Sequence, residues 1–518
     1  EGEIVSTVCN RGTDHPAGAI MREVIIVKKV LSVILKTLKW AVISVVGLLI
    51  VALALLYVPA VQDFAVGKVL GSLNSSGDMK IGVSRLRIHF PLRVEADTLS
   101  MTSPGMEISA SKADLEVALL PLLKGTALVE YLNLDDAVVN IGTPDSTLYM
   151  RAGLRTASLA DAAVGLRDQS VDVRLLQAKG GKVNIVITPD SVIPPKTASE
   201  PVNWKISLHQ TTLRDVDYSM QMLPTIADMQ VTLHEAVLAD GAIDLGKSTI
   251  DVRMLTLDSI SARYLTPTPE YVAAHPLPEV KEAPDTIPSV PWTIRAQKLR
   301  LTNSRAIYAM EGAAPSEFFD PSYIEATEIN LAVDSFYNRG TEITVPLHLS
   351  AREHCGVKLD LSGTFAMDSA AMYARAFELK TPTSTLSLDA MMGMDTVNPP
   401  LSALLSAEIS PDDIRRLTPA AAQPIVAGLP QYKPVVLAAD INGRMENLDI
   451  HRLSAEIPGY VALGAEGEIS DYSDINRARG EVQLHGAITN GNFIKQTLFD
   501  AKTGKELNIP PLRLTGSA

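Results

Sequence analysis

SRLRIHFPLRVEA, residues 84–96, decides the fold class. Leu86, Ile88, Phe90, Leu92, Val94 and Ala96 alternate with Arg85, Arg87, His89, Arg93 and Glu95. A period of two puts the apolar side chains on one face of a strand and the charges on the other. The alternation continues through Pro91, which bends the strand or marks an edge because proline donates no ladder hydrogen bond. Similar stretches recur at Val129–Ile141, Val171–Ile187, Val231–Leu245, Ile294–Tyr308, Ile343–Leu349 and Val357–Leu361. They continue at Leu386–Ala390, Val435–Ile441, Val461–Ile469 and Val482–Ile488. The chain reads as mainly β.

Upstream, Trp40 to Gln62 carries no charge in 23 residues. At about 1.5 Å per helical residue such a run reaches roughly 28–34 Å, enough to cross a bilayer. Trp40 and Tyr57 sit near its ends, where amphipathic rings prefer the headgroup level. Lys28, Lys29, Lys36 and Lys39 precede it, so the positive-inside bias keeps the N-terminus cytoplasmic and sends the bulk of the chain across the membrane. A cleaved signal peptide ending near Val58-Pro59-Ala60 is the rival. The length of the apolar run and the proline inside that triplet favour a retained anchor. Residues 1–20 contain no methionine and receive no fold weight. The expected organisation is a cytoplasmic segment 1–39, a transmembrane helix 40–58 and a short helix 59–76 beyond the membrane. A repetitive β-array follows over 77–265, then a proline-rich loop 266–291 and a second part of the array, 292–518. In the short helix, Pro59 suits the first turn, and Val61, Phe64, Val69 and Leu73 share one side.

Repetition is the second signal. WKISLHQTTLRDVDY from Trp204 and WTIRAQKLRLTNSRAIY from Trp292 share an isoleucine two residues on, a leucine nine residues on and a closing tyrosine. VDVRLLQAKGGKVNI from Val171 is a weaker copy with Gly180-Gly181 at its centre. Each reads as strand, tight turn, strand. Proline-rich loops precede both tryptophans, at 191–201 and 266–291. Such spacing points to a stacked array, and the alternative is two β-domains joined near 266–291. Roughly 15 residues per strand would make about 30 strands, extending some 140 Å at about 4.8 Å spacing.

The composition narrows function. A net charge of −13, with no basic stripe after residue 40, excludes nucleic acid as partner. Cys9 and Cys355 are the only thiols, so no disulfide framework holds the fold. No Gly-x-Ser-x-Gly, P-loop or dinucleotide fingerprint occurs, and neither an enzyme nor a cofactor is expected. His348, His354 and Cys355 form the closest metal-like group. Adjacent residues on a strand face opposite ways, so His354 reads as solvent-facing and Cys355 as buried and structural. Asp135-Asp136 reads as a turn, and Asp412-Asp413 as the start of a helix capped by Ser410. There remains an aliphatic face with few aromatics (5%) and no helices to cover it. It closes on another sheet or lines an open groove, and an open apolar surface of that size binds something.

The stretch VPAVQDFAVGKVLGSLNSSGDMKIGVSRLRIHFPLRVEADTLSM (58–101) follows the anchor with a proline, a short helix and a strand pair broken at HFP. This resembles the N-terminus of AsmA-like proteins, particularly TamB-type translocation and assembly module subunits. The repeats at Trp204 and Trp292 and the ending LNIPPLRLTGSA (507–518) resemble the Bacteroidetes-type forms. The resemblance implies an inner-membrane anchor, a periplasmic taco-like β-groove, phospholipid transport to the outer membrane and a BamA/TamA-like barrel partner. It brings no catalytic residues. The chain is shorter than TamB-like proteins and reads as an N-terminal portion or a short relative. Val83, Leu86, Ile88, Phe90, Leu92 and Val94 are the expected groove lining nearest the anchor. The alternative function is a scaffold for outer-membrane protein insertion or secretion, pairing its edges with client strands or the barrel. A third is an anchored adhesion protein.

Overall fold

The computed structural model describes Ser44 and residues 80–517, except 90–91, 123–125, 144–145, 166, 189–191, 194–202, 223–226, 276–280, 283–290, 395–397, 472–478 and 492–511. Ser44 is helical; the rest of the expected anchor, with Trp40 and Tyr57, lies outside the described residues. So do Lys28, Lys29, Lys36, Lys39 and the helix 59–76. Among the described residues no helix is long and apolar enough to cross a membrane.

Gly82–Ala518 forms one unit, and its strands pair in chain order. They are β1 (Lys80–His89), β2 (Arg93–Ser103), β3 (Met106–Ala118), β4 (Thr126–Ile141), β5 (Leu148–Gly165), β6 (Ser170–Ile187), β7 (Val192–Ile193) and β8 (Lys205–Met222). Next come β9 (Ala227–Asp244), β10 (Thr249–Thr266), β11 (Lys281–Glu282), β12 (Thr293–Met310), β13 (Tyr323–Arg339), β14 (Glu342–Glu353), β15 (Lys358–Met367) and β16 (Ala371–Lys380). The last are β17 (Thr385–Gly393), β18 (Pro400–Ile409), β19 (Val435–Arg444), β20 (Asn447–Ile457), β21 (Val461–Ser470), β22 (Arg479–Ile488) and β23 (Leu512–Ser517). All but β7 and β11 belong to one open sheet of 21 strands. The stretch 84–96 is therefore two paired strands, broken between His89 and Arg93, and not one alternating strand.

The sheet is an antiparallel meander except at two places, where β6 pairs with β8 and β10 with β12 in parallel. Parallel neighbours cannot be joined by a hairpin, so the chain must return along the whole strand. These returns carry the proline-rich sequences. β7 lies in the first and β11 in the second, and the two pair in parallel with each other. β10 and β12 pair directly across the 266–291 loop.

The repeats are not hairpins. Each is a single 18-residue strand with one left-handed residue at its centre: Gly180 (φ 69°), Asp215 (φ 54°) and Asn303 (φ 50°), with Ser259 (φ 54°) in β10. A reversal needs two central residues out of the strand conformation, whereas one only bends the chain. Glycine, or a short polar side chain, occupies these positions because only such residues tolerate that region cheaply. Asp136 (φ 48°) is one of them, so Asp135-Asp136 sits inside β4 rather than in a turn. Strands running the opposite way bend at Asp161 (φ 52°) and Asp240 (φ 51°), opposite Arg174 and His209. Every long strand thus crosses two bend lines, and at each the apolar phase slips by one residue. In β8 the apolar series runs Ile206, Leu208, then Thr211, Leu213, then Val216, Tyr218, Met220, Met222. β6, β10 and β12 repeat the pattern position for position. Longer strands also mean fewer of them: among the described residues the sheet has 21, against the expected number of about 30.

The bend makes a test. Asp161→Gly should be neutral in urea unfolding. Asp161→Val, which forces a β-branched side chain into the left-handed region, should cost about 1–2 kcal/mol.

Candidate functional site

Register turns the phase slips into a continuous feature. Starting at Ala96, the residue directly opposite on each next strand is Ala113, Leu134, Ala157, Ala178, Leu213 and Ala236. The line continues through Leu257, Leu301, Leu331, Leu349, Leu361, Leu379 and Leu386. Ala407, Leu437, Ala455, Leu463 and Gly486 follow, and Leu514 is the next register partner. Every member is alanine, leucine or glycine. Nineteen interstrand steps of about 4.8 Å give a path of roughly 90 Å along the sheet.

A parallel line runs beside it from Val94 through Leu115, Leu132, Leu159, Leu176, Thr211, Leu238, Leu255, Leu299 and Val333. Together they form one apolar face, folded along the bend lines but never interrupted by a charge.

This face is not a closed core. At its first strands the residues are buried: Val94 and Ala96 are 4% exposed and Leu115 2%. From β4 to β19 its leucines are half-buried. At β20–β22, Leu453, Leu463 and Leu484 are 44%, 49% and 48% exposed. A second sheet packed on top would bury them throughout.

The expected lining residues divide. Val83 and Leu86 are half-buried in β1; Leu92 and Val94 are buried, with the Leu92 carbonyl accepting from Val117 N at 3.1 Å. The side chain of Ile88 and the whole of Phe90 lie outside the described residues. The rung itself escapes a reading of the sequence, because cross-strand partners are far apart in the chain. The available signal is a spacing of three between apolar pairs, as at Leu208–Thr211 and Leu213–Val216.

The opposite face is polar and paired. Arg93 forms a two-pronged contact with Asp114, its Nε donating to Oδ1 at 3.0 Å and its Nη2 to Oδ2 at 2.8 Å. Arg214 pairs with Glu235 (2.7 Å), Arg300 with Asp334 (2.7 Å) and Arg352 with Glu328 (2.9 Å). Across four strands, His209 lies between Asp172 and Asp240 (3.2 Å each), and Arg253 donates to Asp240 at 2.6 Å. The flanking carboxylates hold the His209 pKa above its ordinary value, and the Arg253 and His209 hydrogen bonds hold Asp240 below its own. These exposed pairs fix register more than they add stability.

At one rim the helix Pro411–Leu417 is capped as expected, the Ser410 hydroxyl accepting from Asp413 N at 3.1 Å. Asp413 does more than start the helix. It is 6% exposed, and its Oδ2 accepts from Thr381 Oγ1 (2.5 Å), Ser384 Oγ (2.5 Å) and Thr383 Oγ1 (2.9 Å). Burial pushes this carboxyl up, but the hydroxyl donors outweigh it and hold the pKa below the ordinary value.

His354 is not solvent-facing: its side chain is 9% exposed, pairs with the Glu353 carboxylate and meets the Tyr323 ring edge-on at 5.7 Å. It lies in the turn beyond β14, where strand alternation no longer applies. Cys355 is buried, and burial pushes its thiol up to about 11, which leaves it unreactive. Among the described residues no three potential metal ligands converge. No family model matches the chain and no curated protein matches it, so the sheet's own geometry carries the functional reading.

Proposed function

We propose that the chain is an inner-membrane-anchored, periplasmic lipid conduit of the AsmA/TamB kind, carrying phospholipid between the inner and outer membranes. The single observation behind this reading is the unbroken alanine–leucine rung from Ala96 to Gly486, buried at its first strands and at several alanines, with leucines that are half-buried from β4 to β19. Acyl chains suit it chemically. Burying apolar surface contributes about 0.8 kcal/mol per methylene, and the lining is flexible and aliphatic rather than aromatic. A lipid moving from strand to strand keeps its chains on hydrocarbon at every step, so no step requires full exposure to water and none needs covalent chemistry. Headgroups stay at the rims, in solvent. A BamA/TamA-like barrel is the fitting receiver at the outer membrane.

The test is direct. The full chain, extracted in mild detergent and washed, should carry phospholipid detectable by mass spectrometry of an organic extract. A lipid-free protein that also fails to take up phospholipid from vesicles overturns the reading. The scaffold alternative draws on the open sheet, whose edge strands keep unpaired backbone groups available for strand addition. Photo-crosslinks from β23 to a barrel protein, with no bound lipid, would favour it.

A further inference from the structure

Among the described residues, β7 and β11 stand outside the main sheet and pair with each other, Val192 with Lys281 and Ile193 with Glu282. β7 belongs to the return from β6 to β8, and β11 to the return from β10 to β12. Paired strands lie about 4.8 Å apart, so both returns cross the same face of the sheet.

Backbone chirality identifies that face. The Lys205 N–H donates to the Gln169 carbonyl at 2.8 Å, and the Trp204 carbonyl accepts from Leu245 N at 2.9 Å. Lys205 therefore points its backbone groups at β6, while Trp204 and Ile206 point theirs at β9. In an L-chain running upward, a residue whose side chain faces the viewer directs its N–H and C=O to the right. Seen from the apolar face, on which Ile206 lies, β9 is then to the right of β8 and β6 to its left. The chain moves rightward from β6 to β8, and a right-handed crossover in that direction passes in front, over the apolar face. About 98% of parallel crossovers take the right-handed route. Thr293 N donates to the Ser248 carbonyl at 2.8 Å in the same pattern, so β10 to β12 is the same move.

Burial agrees with this placement. On β6 the apolar side chains Val173, Ala178, Ile185 and Ile187 are all buried, Ile185 to 2% exposure. Leu208, Leu213 and Met220, their register partners on β8, are only half-buried. Strand neighbours alone leave one face of a single sheet open to solvent, so a further layer covers β6. The return that follows Ile187 supplies it.

We infer that β7 and β11 form a bridge over the apolar face between β6 and β12, enclosing the rung at mid-sheet and holding an acyl chain on it. What passes beneath rests on the conduit reading; the position of the bridge does not. Over β8 to β10 the half-buried side chains keep surface available to hydrocarbon. A ladder of two residue pairs is marginal by itself, so the bridge can part to admit a lipid and close over it.

Ile193→p-benzoylphenylalanine and, separately, Lys281→p-benzoylphenylalanine in the full chain test this. Irradiation of lipid-depleted protein, followed by peptide mapping, should give adducts on apolar-face side chains at the level of Tyr218 and its partner Val231. Adducts confined to the polar face, at the level of Asp217 and its partner Thr232, overturn the bridge, as does the absence of any sheet adduct from both positions. After loading from phosphatidylethanolamine–phosphatidylglycerol vesicles, adducts to phospholipid should appear and the sheet adducts fall several-fold. Protein that carries phospholipid yet keeps its sheet adducts unchanged would overturn the enclosure while leaving the conduit reading intact. Apolar-face adducts in a protein that takes up no phospholipid would support the bridge's position and end the conduit reading.

Discussion

Leu301→Asp is expected to abolish phospholipid transfer while leaving the sheet folded. Leu301 sits mid-rung, flanked in register by Leu257 and Leu331, and is half-buried rather than sealed. An aspartate there can reach water, so the folding cost stays near the 1–3 kcal/mol of an ordinary substitution. For an acyl chain crossing that position the situation is worse. It must desolvate the carboxylate or leave the apolar path, and either raises the barrier by several kcal/mol, more than a hundredfold in rate. Transfer of a fluorescent phospholipid between vesicles, with the full chain bridging them, measures this. Gln297→Asp, on the polar face of the same strand, is the matched control and should transfer normally. Equal transfer by Leu301→Asp and the natural protein would end the conduit reading.

The second large effect is on stability. Asp413→Ala should cost about 3 kcal/mol in urea unfolding, because three hydroxyls lose a charged acceptor in a buried site. Asp413→Asn, which keeps one acceptor oxygen, should cost less. The pH dependence follows from the depressed pKa. The stabilisation is complete above the ordinary aspartate pKa and disappears as pH falls through the lower folded value. The difference between natural protein and Asp413→Ala should therefore be flat from neutral pH to about 5 and shrink in stronger acid. A difference that instead grows in acid would show that Asp413 is not held as the carboxylate. The rim segment after Pro411 should loosen with the mutation, since Asp413 ties it to the Thr381–Ser384 turn.

How far the residues alone can be read varies along the chain. The alternation in Val129–Ile141 and Val171–Ile187 becomes β4 and β6, and Ser410 caps its helix, because these are local preferences. Gly180-Gly181 and the Arg-Asp-Val-Asp of β8 resemble turn sequences for a sound reason, since they do contain a left-handed residue. Whether one such residue bends a strand or reverses it depends on pairing partners dozens of positions away. His354 meets the same limit, because alternation holds only as far as the end of β14, and where that strand ends is set by its neighbours.

Composition and period two determined the class: a β-chain with an aliphatic face, few aromatics and no disulfide framework to hold it. Only the tertiary structure decided that Ala96, Leu257 and Leu463 lie on one line, and that β6 meets β8, and β10 meets β12, in parallel. Both are matters of pairing and register. Register is set by summed hydrogen bonds and side-chain contacts between strands, and a slip of one residue would turn the rung to the opposite face. The residue 84–96 alternation states which side chains avoid water. It does not state which strand each will meet.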